Sequence, residues 1–161
     1  LSATCWGGFK ALAPDVMSEI GDNEWIKGRK HLIHPELLNP IRAVIARSRL
    51  YLNRHALPFP MAGLMLVPKA KVNEVHDALL NLRTEFQSEV DRFAHLLPEA
   101  RRQAQDTLGE LFNEEDYPVE VNRRFRFDWR FLTLDYPGKT SILPPALLLE
   151  EKRKLQTLMN L

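Results

Sequence analysis

Arg123, Arg124, Arg126 and Arg130 are interleaved with Phe125, Phe127, Trp129 and Phe131 in the stretch NRRFRFDWRFLTLD, residues 122–135. Guanidinium groups present forked donors that match the paired oxygens of a carboxylate or a phosphate. Under a period of two, the four rings share one face and Arg124, Arg126, Asp128 and Arg130 share the other. A helical reading also exists, because Val121, Phe125, Trp129 and Leu132 fall at helical spacing. Aromatic enrichment and the turn residues from Asp135 to Gly138 favour the strand. The rings then form the buried side and only the arginine side is open to a ligand. Two further cationic groups are Lys27, Arg29, Lys30 and His31, and Arg42, Arg47, Arg49 and Arg54. If the three converge, they make a contact surface for a nucleic-acid backbone or an acidic protein. If not, they neutralise the acidic middle of the chain.

Other chemistry is weaker. Gly138-Lys139-Thr140 copies the end of a phosphate loop. The glycine required five residues earlier is Thr133, and Pro144 and Pro145 prevent the helix that must follow directly. Nucleotide binding is excluded there. His31 and His34 could share a metal from one helical turn, but no spacing supplies a third and fourth ligand, although Glu24 and Glu36 are near. Cys5 sits in an apolar stretch with no histidine paired to it, and reads as a small buried hydrophobe. Glu114, Glu115 and Asp116 read as a solvated helix cap rather than acid–base groups. No catalytic residues, no metal and no cofactor are therefore assigned, and the chain is expected to be non-enzymatic.

The elements that must position these groups follow from composition and periodicity. The chain has 161 residues, 45% hydrophobic and 27% charged, with a net charge of +1, which is ordinary for one globular domain. A single domain over 1–161 is expected, as part of a longer chain. No apolar run approaches the ~18 residues that span a bilayer, and no membrane partner is expected. The lone cysteine fits a reducing, cytoplasmic setting. Charge is segregated: Lys/Arg against Asp/Glu is 8 to 5 over residues 1–68, 6 to 11 over 69–116 and 8 to 5 over 117–161.

Val72, Val75, Leu79, Leu82, Phe86, Val90, Phe93 and Leu97 recur at three- and four-residue steps, the mark of a long amphipathic helix. Pro98 reads as the start of a second helix, with Ala100, Ala104, Leu108, Leu111 and Phe112 on its inner face. The two predict a long antiparallel helical hairpin over 69–113. Pro40 opens an arginine-rich helix, and Ala146–Leu161 forms a last one with Glu150 and Lys154 at i,i+4. The fold class is α+β and mostly helical. A small antiparallel sheet is expected from residues 1–7, 62–67 and 124–134.

Three stretches resemble an uncharacterised bacterial and phage domain family: CWGGFKAL, then SRLYLNRHALPFPMAGLMLVPKAKVNEVHDALLNLRTEFQSEVDRF, then DYPVEVNRRFRFDWRFLTLD. That family has a strand ending in Trp-Ser-Gly-Arg-Lys, where this chain has Trp6-Gly7-Gly8-Phe9-Lys10. It continues through an arginine-rich helix, a glycine-containing strand with Val-Pro, a long helix and an Arg-Phe-x-Phe strand. Its members are often encoded beside a MoxR-type AAA+ ATPase and a von Willebrand factor A protein. The resemblance implies an accessory or adaptor role among other protein subunits, with that ATPase as a partner. The alternative is a subunit that binds a DNA or RNA backbone. Oligomerisation is compatible with both.

Overall fold

In a computed structural model, the described residues are 1–19, 25–26, 28–133 and 144–159. The chain is α+β and mostly helical. Its spine is α3, Val72–Leu108, 37 residues long, or about 55 Å at ~1.5 Å per residue. Val75, Leu79, Phe86, Val90, Phe93, Leu97, Ala100, Ala104 and Leu108 form one buried stripe along it.

The hairpin expected over 69–113 is therefore replaced by one helix. Pro98 lies inside α3 rather than at a turn. Proline holds φ near the helical value, and its cost is the missing amide donor and crowding of the preceding turn. That cost is met by the core, since Phe93 and Leu97 before it and Ala100 and Ala104 after it are buried on one uninterrupted stripe. Gly109, with φ 54°, ends the helix in a conformation that side-chain-bearing residues rarely adopt.

Helix α2, Asn39–His55, packs along α3. Its inner face is Ile41, Val44, Ile45, Ser48 and Leu52. Ser48 is fully enclosed, and its hydroxyl donates to the Val44 carbonyl at 2.7 Å. Arg54 and His55 occupy its last turn, where cations complement the helix dipole. The remaining helices are α1, Pro14–Glu19, and α4, Pro145–Met159. Lys154 reaches Glu150 at 3.1 Å in the expected i,i+4 pair. Among the described residues, no helix is long and apolar enough to cross a membrane.

Among the described residues, the strands make three separate antiparallel ribbons, not one sheet. β1, Ser2–Thr4, pairs with β6, Arg126–Asp128, in the register Ser2 to Asp128, Ala3 to Phe127 and Thr4 to Arg126. β2, Phe9–Ala11, pairs with β3, Arg29–His31. β4, Leu57–Pro58, pairs with β5, Met65–Leu66. The expected union of 1–7 with 124–134 is present in short form. The 62–67 segment instead folds back on its own neighbour, because a two-residue pairing closes at once after α2 with little loop entropy to overcome. Gly8, with φ 65°, turns the chain between β1 and β2, and its carbonyl accepts the Leu32 amide at 2.7 Å. A Cβ there would stand 3.1 Å from Ile33 Cγ1.

The 124–134 strand is correspondingly shorter than expected. Val121–Arg124 is a 3-10 turn, so a trace of the helical reading survives. Pairing stops at Asp128, opposite Ser2. Phe125 and Phe127 are buried, at ring distances of 5.6 Å from Phe93 and 5.3 Å from Phe86. Trp129 is half-buried, and Phe131 is 44% exposed. The oily face therefore holds for two rings, weakens at the third and fails at the fourth.

A candidate arginine-rich interface

The three cationic groups do not converge as wholes. The first is structural. Arg29 lies over the Phe9 ring, 4.1 Å from its centroid. Lys30 is buried, with Nζ 2.6 Å from Asp116 Oδ2 and 2.6 Å from the Leu111 carbonyl that it donates to. Lys10 completes this cluster from β2 at the other oxygen, Oδ1. Lys30 is therefore unavailable to a partner. Lys27 lies outside the described residues.

The same contacts revise the reading of the acidic run. Glu114 and Glu115 are exposed, but the Asp116 side chain is only 2% exposed. Burial pushes its carboxyl up, while hydrogen bonds and charge from Lys10 and Lys30 pull it down. The lysines win, and the group sits below its ordinary value of 3.8. Next to it, Tyr117 donates its hydroxyl to the Leu32 carbonyl. Burial drives that phenol up to about 12. This cluster clasps the segment after α3 to the β2–β3 ribbon, with Lys10 on its open side.

The second and third groups divide by whether a carboxylate holds them. Arg47 Nη2 lies 2.6 Å from Glu85 on α3, and Arg123 is bound to Glu120 one turn before it. Arg54 is exposed at the far end of α2, beside the β4–β5 ribbon. The rest gather around β1–β6. Arg49 donates to the Ala3 carbonyl at 3.4 Å. Arg42, two helical turns earlier on the same side of α2, lies beside the Cys5 thiol. Arg126 stands opposite Thr4 across the ribbon. Phe125 and Phe127 point inward, so strand alternation turns Arg126 outward, flanked by exposed Arg124 and Arg130. Ser2 and Thr4 are exposed on the ribbon as well.

The nearest carboxylate to this set is Asp128, 3.8 Å from Arg126 in a partly open position. Arg124 and Arg130 have no ion pair among the described residues. Elsewhere Arg92 is engaged with Glu89, Arg101 with Glu114 and Arg102 with Glu99, while exposed Arg54 and Arg153 have no ion pair among the described residues. Arg42 and Arg49 approach the ribbon from the β1 side, and Arg124, Arg126 and Arg130 lie on and beside β6.

The half-buried Cys5 thiol donates to the Trp6 carbonyl at 3.4 Å. Burial raises this thiol, and Arg42 only partly offsets that. His31 and His34 are edge-on to Phe9 and Trp25 respectively. His34 Nδ1 accepts the Glu36 amide at 3.3 Å. Among the described residues, no three His, Cys, Asp or Glu side chains are grouped to hold a metal ion. The Gly138-Lys139-Thr140 stretch lies outside the described residues.

Sequence reasoning missed two features of this surface. One is Arg83, whose guanidinium lies 4.8 Å from the Trp129 ring centroid. The other is His76, whose Nδ1 accepts the Trp129 indole N–H at 3.3 Å. Both are on α3 at positions where helical spacing signals only an outer flank, and nothing local connects them to residue 129. Set against known proteins, the chain matches no family model, no curated protein and no solved structure.

Proposed function

We propose that this chain is a non-enzymatic interaction subunit that docks an acidic partner on the arginine face around β1–β6 and α2. The supporting observation is the contrast in pairing. Arg47, Arg92, Arg101, Arg102 and Arg123 are engaged by carboxylates, whereas Arg124 and Arg130, close in sequence, have none among the described residues and Arg126 between them has only a loose one. Leaving several like charges together costs self-repulsion, and a bound anionic surface relieves it. The resemblance read in the sequence, to domains encoded beside a MoxR-type AAA+ ATPase, supports a partner among the protein subunits of such a system.

A nucleic-acid backbone is the second reading. It is favoured by the guanidinium chemistry of the face and by the Ser2 and Thr4 hydroxyls on the same ribbon. The triple variant Arg124→Glu, Arg126→Glu, Arg130→Glu tests both, since all three side chains are exposed. A protein subunit that co-purifies with the wild type and is lost from the variant supports the first reading. DNA or RNA retention that falls steeply between about 50 and 200 mM salt, and is lost in the variant, supports the second. Unchanged retention of both overturns the face as a docking site.

A further inference from the structure

From Ala56 to Pro68 the chain carries no charged side chain, yet it is bounded by Arg54 on one side and by Lys69 and Lys71 on the other. The structure turns this pattern into a shape. β4 and β5 pair through Leu57 to Leu66 and Pro58 to Met65, and residues 59–64 project beyond the last pair. Leu64 donates its amide to the Met61 carbonyl at 3.2 Å, which closes the tip. Met61 is 60% exposed and Leu64 is 37% exposed, with half-buried Phe59 beneath them. Pro58 and Pro60 stiffen the ascending arm, so little conformational freedom remains to be lost when the tip is engaged.

The collar at the base has the opposite character. Arg54 closes α2, and Lys69 and Lys71 lie in the 3-10 turn that leads into α3. All three are exposed, and none has an ion pair among the described residues. An apolar tip whose base carries three cations without ion pairs, with Glu74 beside them turned to His55 at 4.0 Å, matches the layering of an anionic bilayer surface, where acyl chains lie beneath phosphates. The size of the tip favours that occupant over a protein. Six residues with two outward apolar side chains fall well short of the ~800 Å² per partner that a stable protein interface buries, but suffice for shallow entry of ~5–10 Å. Lysine also fits this role, as a flexible point charge that needs no fixed partner geometry.

We propose that the β4–β5 hairpin is a peripheral lipid-contact site. Phe59, Met61 and Leu64 enter the acyl boundary of an anionic bilayer, while Arg54, Lys69 and Lys71 meet its phosphates. The expectation of no membrane partner rested on the lack of a spanning segment, and interfacial insertion needs none. The site is independent of the arginine face around β1–β6.

Sedimentation with vesicles tests it, using phosphatidylcholine alone and phosphatidylcholine containing about one third phosphatidylserine. The wild type is expected to sediment with the anionic vesicles and much less with the neutral ones. Met61→Asp with Leu64→Asp removes this, and Lys69→Glu with Lys71→Glu weakens it by at least about tenfold, at roughly fivefold per cation. In Met61→Trp, indole emission shifts to the blue only when anionic vesicles are added. The proposal is overturned if the wild type ignores anionic vesicles, which leaves the hairpin to a protein partner. It is equally overturned if the double Asp variant sediments like wild type, or if Arg126→Glu with Arg130→Glu abolishes sedimentation while the double Asp variant retains it.

Discussion

Lys30 Nζ and Asp116 Oδ2 lie 2.6 Å apart, and both side chains are at least nine-tenths shielded from solvent. They come from distant parts of the chain, the β3 strand and the turn that follows α3, so the pair fastens the β2–β3 ribbon to the segment after the spine. Lys10 shares the same carboxylate but is 58% exposed. The three members should therefore differ in weight. Asp116→Asn leaves Lys30 buried without a countercharge and is expected to cost about 3 kcal/mol, near the lower end for breaking a buried pair. Lys10→Met is expected to cost under about 1 kcal/mol, as for exposed pairs. Urea unfolding of the two variants measures the ranking, and equal costs would refute it.

The same carboxylate sets an acid limit. Its folded value lies below the ordinary 3.8, so the unfolded chain takes up the proton first as the pH falls. The stabilisation is fully present above about pH 4 and is lost as the pH falls through the folded value. Thermal melts from pH 5 downward should show this loss in the wild type and a flatter acid limb in Asp116→Asn.

Tyr117 sets the alkaline counterpart. Its phenol is raised from 10 to about 12, so the unfolded chain ionises first. The contribution of the hydroxyl bond to Leu32 is intact below pH 10 and is lost as the pH rises toward 12. Tyr117→Phe should cost about 1 kcal/mol at neutral pH, as for one net hydrogen bond. It should also remove the late step from an absorbance titration of tyrosinate.

The aromatic face can be tested ring by ring. Phe93 is 2% exposed and meets both Trp6 and Phe125, at 6.0 Å and 5.6 Å. Phe93→Ala is expected to cost about 3–5 kcal/mol through lost transfer energy and the cavity left behind. Phe131→Ala, at a 44% exposed ring, should cost under about 1 kcal/mol. Comparable losses at the two positions would contradict the difference in burial between the two rings.

Pro98 offers a gain. It is exposed in mid-helix, where proline costs about 3 kcal/mol relative to alanine. Pro98→Ala should raise stability by about 2 kcal/mol and leave helix content unchanged by circular dichroism. A fall in either would indicate that a break at 98 belongs to the fold.

How much could be read from the chain differs by element. The α3 stripe was legible from its apolar steps, since a helix face buried over so many turns leaves its period in the sequence. The continuity through Pro98 was legible too: the steps from Phe93 to Leu97, Ala100 and Ala104 keep phase across it. The proline was weighted as a breaker because local preference favours a new helix start, whereas burial on both sides outweighs that preference. The ring face of 125–131 was half legible. Alternation identifies which residues share a side, but not where the pairing with a distant strand ends.

The interface separates along the same line. Residue types by themselves determined an α+β chain with a long amphipathic helix, three cationic groups and an apolar stretch from Ala56 to Pro68, because periodicity, composition and charge order are properties of the string. Only the tertiary structure decided that Lys30 is locked to Asp116, that Arg47 is answered by Glu85, and that Arg42 and Arg49 reach the ribbon carrying Arg126. Which charges are neutralised and which remain depends on distances between residues far apart along the chain. Those distances are set by how α2 and α3 pack, not by any local pattern.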